Sequence, residues 1–175
     1  MLSVYGFVYA RNPGRGGFLD SVDLAIHETG HLVFAPLGEL MGFLGGTLFQ
    51  LLVPLTFAVY FTLRGERFSA AIPVWWAAQN LLGISVYVRD ARAQLLPLVG
   101  GGEHDWTYLL TRWGVLERDQ GIGNLIHFAG VILMVGALLA ALNWVGDERP
   151  SAPPVDQSPT VPPDDDRLRP GKGTL

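Results

Sequence analysis

Three stretches of this chain run for more than twenty residues without an Asp, Glu, Lys or Arg, and nothing else constrains its fold so strongly. Residues 40–63 and 68–88 carry no charged side chain, and residues 120–146 carry only His127. Each reaches the roughly 20 residues that a helix needs to cross the hydrocarbon core of a bilayer. A helix is the form such stretches must take there, because every backbone N–H and C=O has to find its partner within the segment. Residues 24–38 add a fourth apolar stretch, interrupted by the group His27-Glu28-Thr29-Gly30-His31 and by Pro36. Charged residues make up 16% of the chain, against about 25% in a soluble domain, and the mean hydropathy is +0.29. The expected fold is an all-α integral membrane bundle of three or four transmembrane helices, at about 21–35, 40–63, 68–88 and 122–145.

The rest of the chain divides accordingly. Residues 1–146 form the membrane helical domain. Residues 147–175, with seven prolines and the run Asp164-Asp165-Asp166, lack the apolar surface to fold and read as a disordered tail. Met1–Ala10 is apolar but short and has no basic leader, which suggests a strand, a surface-lying segment or part of a re-entrant element. Asp20, Ser21 or Asp23 is placed to cap the first long helix, and Pro36 with Gly38 to end it. Gly38, Gly42 and Gly46 recur every four residues and offer a smooth stripe for a neighbouring helix. Between the third and fourth segments, a structured loop carries Gly100-Gly101-Gly102-Glu103-His104-Asp105-Trp106. A short amphipathic helix follows from Trp106, with Leu109, Leu110, Trp113 and Leu116 on one side.

Cysteine is absent, so disulfides and thiolate metal sites are excluded, and any metal must be held by His, Asp or Glu. The net charge of −4 includes six acidic residues of the tail, and no nucleic-acid partner is expected.

The chemistry concentrates in HETGH. Residues four apart share a helix face, so His27 and His31 are spaced to hold one metal ion. Glu28 follows about a third of a turn on, within reach of a metal-bound water as general base. Ionisable groups inside apolar segments cost about 2.5–3.5 kcal/mol on insertion scales and mark function more often than packing. Catalytic zinc takes three protein ligands and an open position. The third belongs to His104, Asp90, Asp105, Glu103, Glu39 or His127. His104 is the first choice, because it sits in a glycine-rich loop able to fold back. Asp90 and Asp105 are the alternatives, either as ligand or as the group that orients a histidine. Asp105 also reads as N-cap of the short helix, Asp90 as a partner of Arg89 or Arg92, and His127 with Asn124 as an interhelical hydrogen-bond pair.

HETGH on an early membrane helix, followed by a glycine-striped apolar segment, resembles the integral membrane zinc metallopeptidases, of which site-two proteases are the best known. The string HETGHLVFAPLGELMGFLGGTLFQLLVPL, with GGEHDW further on, is also similar to small bacterial membrane proteins. The site-two family draws its third ligand from an aspartate in a Leu-Asp-Gly or Asn-Pro…Asp-Gly context, which this chain lacks; Asp90 in VRDAR and Asp105 in EHDW stand nearest. The resemblance implies a zinc-dependent hydrolase of the bacterial inner membrane, a peptidase acting on membrane-associated polypeptides. Two other readings compete. One is a subunit binding haem or pigment through histidines on separate helices, such as His31 and His127. The other is a non-catalytic assembly factor or partner subunit whose polar cluster only stabilises the bundle.

Overall fold

The computed structural model describes residues 2–13, 17–98 and 102–145. The tail from 147, expected to be disordered, lies outside the described residues, as do Gly100 and Gly101. Six α-helices run along the described chain, with no strand among the described residues: α1 Leu2–Arg11, α2 Phe18–Phe34, α3 Glu39–Leu63, α4 Arg67–Arg89, α5 Asp105–Arg112 and α6 Asp119–Trp144. Short 3-10 turns at Ala35–Leu37 and Leu116–Arg118 precede α3 and α6. Three of these segments are long and apolar enough to cross a membrane: Glu39–Leu63, Arg67–Arg89 and Leu116–Trp144. The HETGH helix α2 is not among them, and its 17 residues fall short of the ~20 required.

The amino-terminal segment is a helix rather than a strand. α1 packs on α4 and α6, where Tyr9 joins Trp75, Leu82, Met134 and Ala137 in one buried cluster. The expected cap of α2 is also different. Gly17 occupies the N-cap with no side-chain bond, Asp20 lies in the first turn, and Asp23 is buried inside the helix. α2 then ends in Ala35-Pro36-Leu37, and Gly38 turns the chain at φ +101, a conformation that costs glycine little and other residues much. That turn folds α3 back along α2.

The glycines of α2 and α3 set how closely the two helices approach. A Cβ on Gly30 would lie 2.6 Å from Phe49 Cβ, and one on Gly45 2.7 Å from the Gly30 carbonyl oxygen. The close approach therefore runs through Gly30, Gly45 and Gly46, so only the last glycine of the Gly38–Gly42–Gly46 stripe takes part in it.

α4 is the central helix, packed against α3 on one side and most extensively against α6 on the other. It buries Gln79, Asn80 and Ser85 together with Leu82, Ile84 and Val88. α6 presents Leu125, Phe128, Ile132, Val135, Leu139 and Leu142 outward, an i, i+3, i+7 stripe. An apolar face of that extent is unusual on a soluble monomer and is consistent with a membrane protein.

Candidate metal centre

HETGH lies in the second half of α2, on the face turned towards α3 and α5. One turn separates His27 from His31, and both imidazoles aim Nε2 at the same atom. The His27 Nε2 to Asp105 Oδ2 distance is 3.0 Å, and the His31 Nε2 to Asp105 Oδ2 distance is 3.3 Å. His27 and Asp105 are buried. Glu28 is half-buried, and one carboxylate oxygen lies within 4.8 Å of a ring nitrogen of each histidine.

Asp105 reaches the site from 78 residues away because α5 is anchored on the end of α4. Trp106, Leu109 and Leu110 pack with Ile84, Val88 and Ala91, and Thr107 Oγ donates to the Ala91 carbonyl. Tyr87 on α4 grips Asp105 twice: its hydroxyl accepts from the Asp105 N–H at 3.3 Å and donates to Oδ2 at 3.4 Å. Phe43 of α3 stacks on Tyr108, whose hydroxyl donates to Glu39 at 2.9 Å.

The far side of each ring decides its protonation. His31 Nδ1 is 2.7 Å from the Gly42 carbonyl oxygen, which can only accept, so Nδ1 carries a proton. Gln50 donates its amide nitrogen to Asn80 Oδ1 at 2.7 Å and turns Oε1 to His27 Nδ1 at 3.1 Å; that nitrogen is protonated as well. In the neutral imidazole the other nitrogen then holds a lone pair. Two Nε2 lone pairs thus converge on one carboxylate oxygen, an arrangement of acceptors that is repulsive unless a cation lies among them. Outer partners that fix tautomer and ring orientation in this way are what metal-binding histidines require.

There is room for such a cation. A Cβ on Gly46 would lie 2.6 Å from Nε2 of both His27 and His31, so only glycine leaves that space open. The site borders a cavity of about 900 Å³ lined by residues of α1 to α4, the loop before α5, and Asp105. A proton on one ring nitrogen relieves the same repulsion. The hydrogen bond to Asp105 raises His31 to about 9 against the opposing effect of burial. Burial works to raise the Asp105 carboxyl, but the hydrogen bonds from His27 and His31 outweigh it and hold it below the ordinary range.

The remaining candidates are placed elsewhere. His104, the sequence's first choice for third ligand, does not join His27 and His31. It is the N-cap of α5, where Nδ1 accepts from the Thr107 N–H at 3.3 Å. Its Nε2 faces Asp90 Oδ2 at 3.5 Å, and its ring lies against Tyr87. Burial pushes the His104 imidazole below its usual value. The capping role expected of Asp105 is therefore taken by its neighbour, which frees Asp105 for the histidines. Asp90 accepts from the Leu95 and Leu96 N–H groups at 2.9 and 3.0 Å and closes the end of α4. Glu39 and Glu103 line the cavity. Asn124 accepts from Arg89 and His127 faces Ser85, so each bonds across to α4 and neither reaches the histidine pair. Sequence reasoning missed Gln50, Gly46, Tyr87 and the Gly42 carbonyl. A lone amide in a charge-free stretch was a visible signal for Gln50; Gly42 and Gly46 stood out only as part of the glycine stripe, and Tyr87 had no signal.

Fold and site together define a helical protein with three span-length helices and a two-histidine, one-carboxylate cluster at the edge of an open cavity. No protein-family model, curated protein or solved structure matches the chain.

Proposed function

We propose that this is a membrane-embedded zinc-dependent hydrolase, a peptidase acting on membrane-associated polypeptides. His27, His31 and Asp105 are the metal ligands and Glu28 is the general base. The observation that carries this reading is the convergence of two imidazole Nε2 atoms and one carboxylate oxygen beside a glycine. Two imidazoles and a carboxylate suit zinc and leave a fourth position open. Bound there, zinc would acidify a water molecule and polarise a carbonyl.

The chain's own groups serve that chemistry. Glu28 faces the same cavity as both histidines, where a general base has to act. Gln50 and the Gly42 carbonyl keep the rings aimed, and Tyr87 holds Asp105. The cavity is large enough for a few residues of an extended polypeptide. A chain with three span-length helices fits the bacterial inner membrane, which the likeness of its motifs to small bacterial membrane proteins suggests.

The test is metal content of detergent-purified protein, prepared without chelator, for wild type, His27→Ala, Asp105→Asn and Glu28→Gln. One zinc per chain is expected in wild type and Glu28→Gln and is lost in the other two. Glu28→Gln should also abolish cleavage of a quenched-fluorescent peptide library by the zinc-loaded protein. Bound iron, which the same donor set accepts, would point to oxygen chemistry. No metal at all would leave the cluster to a non-catalytic subunit.

A further inference from the structure

The cavity that serves the HETGH site continues along α2 to a second polar cluster with different chemistry. Asp20, Asp23 and Gln79 line it there, together with Tyr9. Tyr9 donates its hydroxyl to Asp20 Oδ1, and Trp76 donates to Asp23 Oδ1 at 2.7 Å. The second oxygen of each carboxylate and the Gln79 amide oxygen are buried with no hydrogen-bond partner. Gln79 is 1% exposed and Asp23 3%. Buried acceptors are ordinarily satisfied, and a carboxylate oxygen left without a donor in an apolar setting is costly. Three such oxygens facing one cavity can accept from a single group that carries several donors.

The charge of the cavity points the same way. Its described lining includes six acidic side chains, Asp20, Asp23, Glu28, Glu39, Glu103 and Asp105, and no Lys or Arg. Among the described residues, none brings a cation to Asp20 and Asp23.

We propose that Asp20, Asp23 and the Gln79 amide oxygen form a subsite for an organic cation, the ammonium or guanidinium of a basic residue in the polypeptide whose bond lies at the His27–His31–Asp105 cluster. This rests on the peptidase reading and names its substrate class. The dimensions agree. Asp23 precedes His27 by four residues on the same helix face, an axial separation of about 6 Å. A lysine side chain reaches about 6 Å from Cα to Nζ through four C–C bonds and one C–N bond. A residue held at the metal cluster thus delivers its ammonium one turn back along α2. The α-amine of a chain end lies too close to its own carbonyl to span that gap.

The experiment compares two hydroxamates on zinc-loaded, full-length protein in detergent: lysine hydroxamate and norleucine hydroxamate, which differ by the ammonium alone. Lysine hydroxamate should bind at least tenfold more tightly. In Asp23→Asn, which keeps an acceptor for Trp76, that ratio should fall below twofold, with zinc content confirming the metal site in the same sample. Asp20→Asn, at a half-buried position, provides the second variant should Asp23→Asn fail to fold. Equal binding of both hydroxamates to wild type overturns the subsite and leaves the metal site standing. Should wild type hold no zinc, the peptidase reading fails. The subsite is then judged by whether n-butylammonium raises the melting temperature of wild type but not Asp23→Asn. No difference between the two refutes it, as does an equal stabilisation by sodium or calcium, which would mark an inorganic cation site.

Discussion

Gly46→Ala is the sharpest perturbation of the candidate metal centre, because it removes no ligand and adds one methyl group. The new Cβ would lie 2.6 Å from Nε2 of both His27 and His31, where ordinary contact begins at 3.4 Å. Each ring would have to retreat by about 0.8 Å, several times the ~0.2 Å that a metal–ligand distance tolerates. Neither ring can do so freely, since His31 is tied to the Gly42 carbonyl and His27 to Gln50. Zinc affinity should therefore fall at least 100-fold, about 2.8 kcal/mol at ~1.4 kcal/mol per tenfold. Overpacking adds about 1–3 kcal/mol against folding. Gly42→Ala is the internal control: one turn earlier on α3, its Cβ would meet only Ala35 Cα, at 3.8 Å. It should keep wild-type affinity and gain helix propensity of roughly 0.8–1.0 kcal/mol. Competition against a fluorescent zinc chelator reads the affinities, and thermal unfolding in detergent shows whether each variant is folded. A folded Gly46→Ala protein binding zinc within threefold of wild type would refute the reasoning.

Three further outcomes separate the parts of the site. His104→Ala should retain one zinc per chain while losing about 1 kcal/mol of capping stability, whereas Asp105→Asn should lose the metal; the reverse pattern by metal analysis would restore His104 as ligand. Gln50→Ala should weaken zinc binding 10–100-fold through a freed His27 ring, read in the same chelator competition, and an unchanged affinity would show that Gln50 orients nothing. The third concerns pH: His31 sits on α2, and its raised value means the bound proton stabilises the metal-free fold fully below about 6.5 and is lost as pH rises through about 9. The melting temperature of metal-free protein should therefore fall across that window, and zinc affinity should drop about tenfold per unit from pH 8 to 6 as the metal competes with that proton. A flat response in either measurement counts against a protonated His31 beside Asp105.

Most of the helical framework was legible in the chain. The charge-free stretches at 40–63, 68–88 and 122–145 correspond to α3, α4 and α6 to within three residues at each end, because an apolar run of that length with its flanking charges is a local property. The His27–His31 pair was legible for the same reason, four residues being one helical turn whatever surrounds it. α1 was not: ten apolar residues carry no periodic signal, and it is helical through packing of Tyr5 and Tyr9 on Trp75, Leu82 and Met134. The close approach at Gly30 and Gly45 was likewise hidden among several glycines until the crossing of α2 and α3 was known.

The choice between His104 and Asp105 shows where the division falls. His104 and Asp105 are adjacent, both competent as metal ligands and both able to cap a helix, so the sequence put His104 first only on its glycine-rich loop. The turn into α5 ranks them. With His104 capping the helix, the next side chain, carried by the backbone grip of Tyr87, points at the histidines. The sequence by itself determined the helices and the paired imidazoles, because both follow from interactions within a turn or two of chain. Only the tertiary structure decided that Asp105 meets them, that Gln50 and Gly42 orient them and that Gly46 leaves room. Each of those depends on where separate helices cross, and no local pattern encodes that.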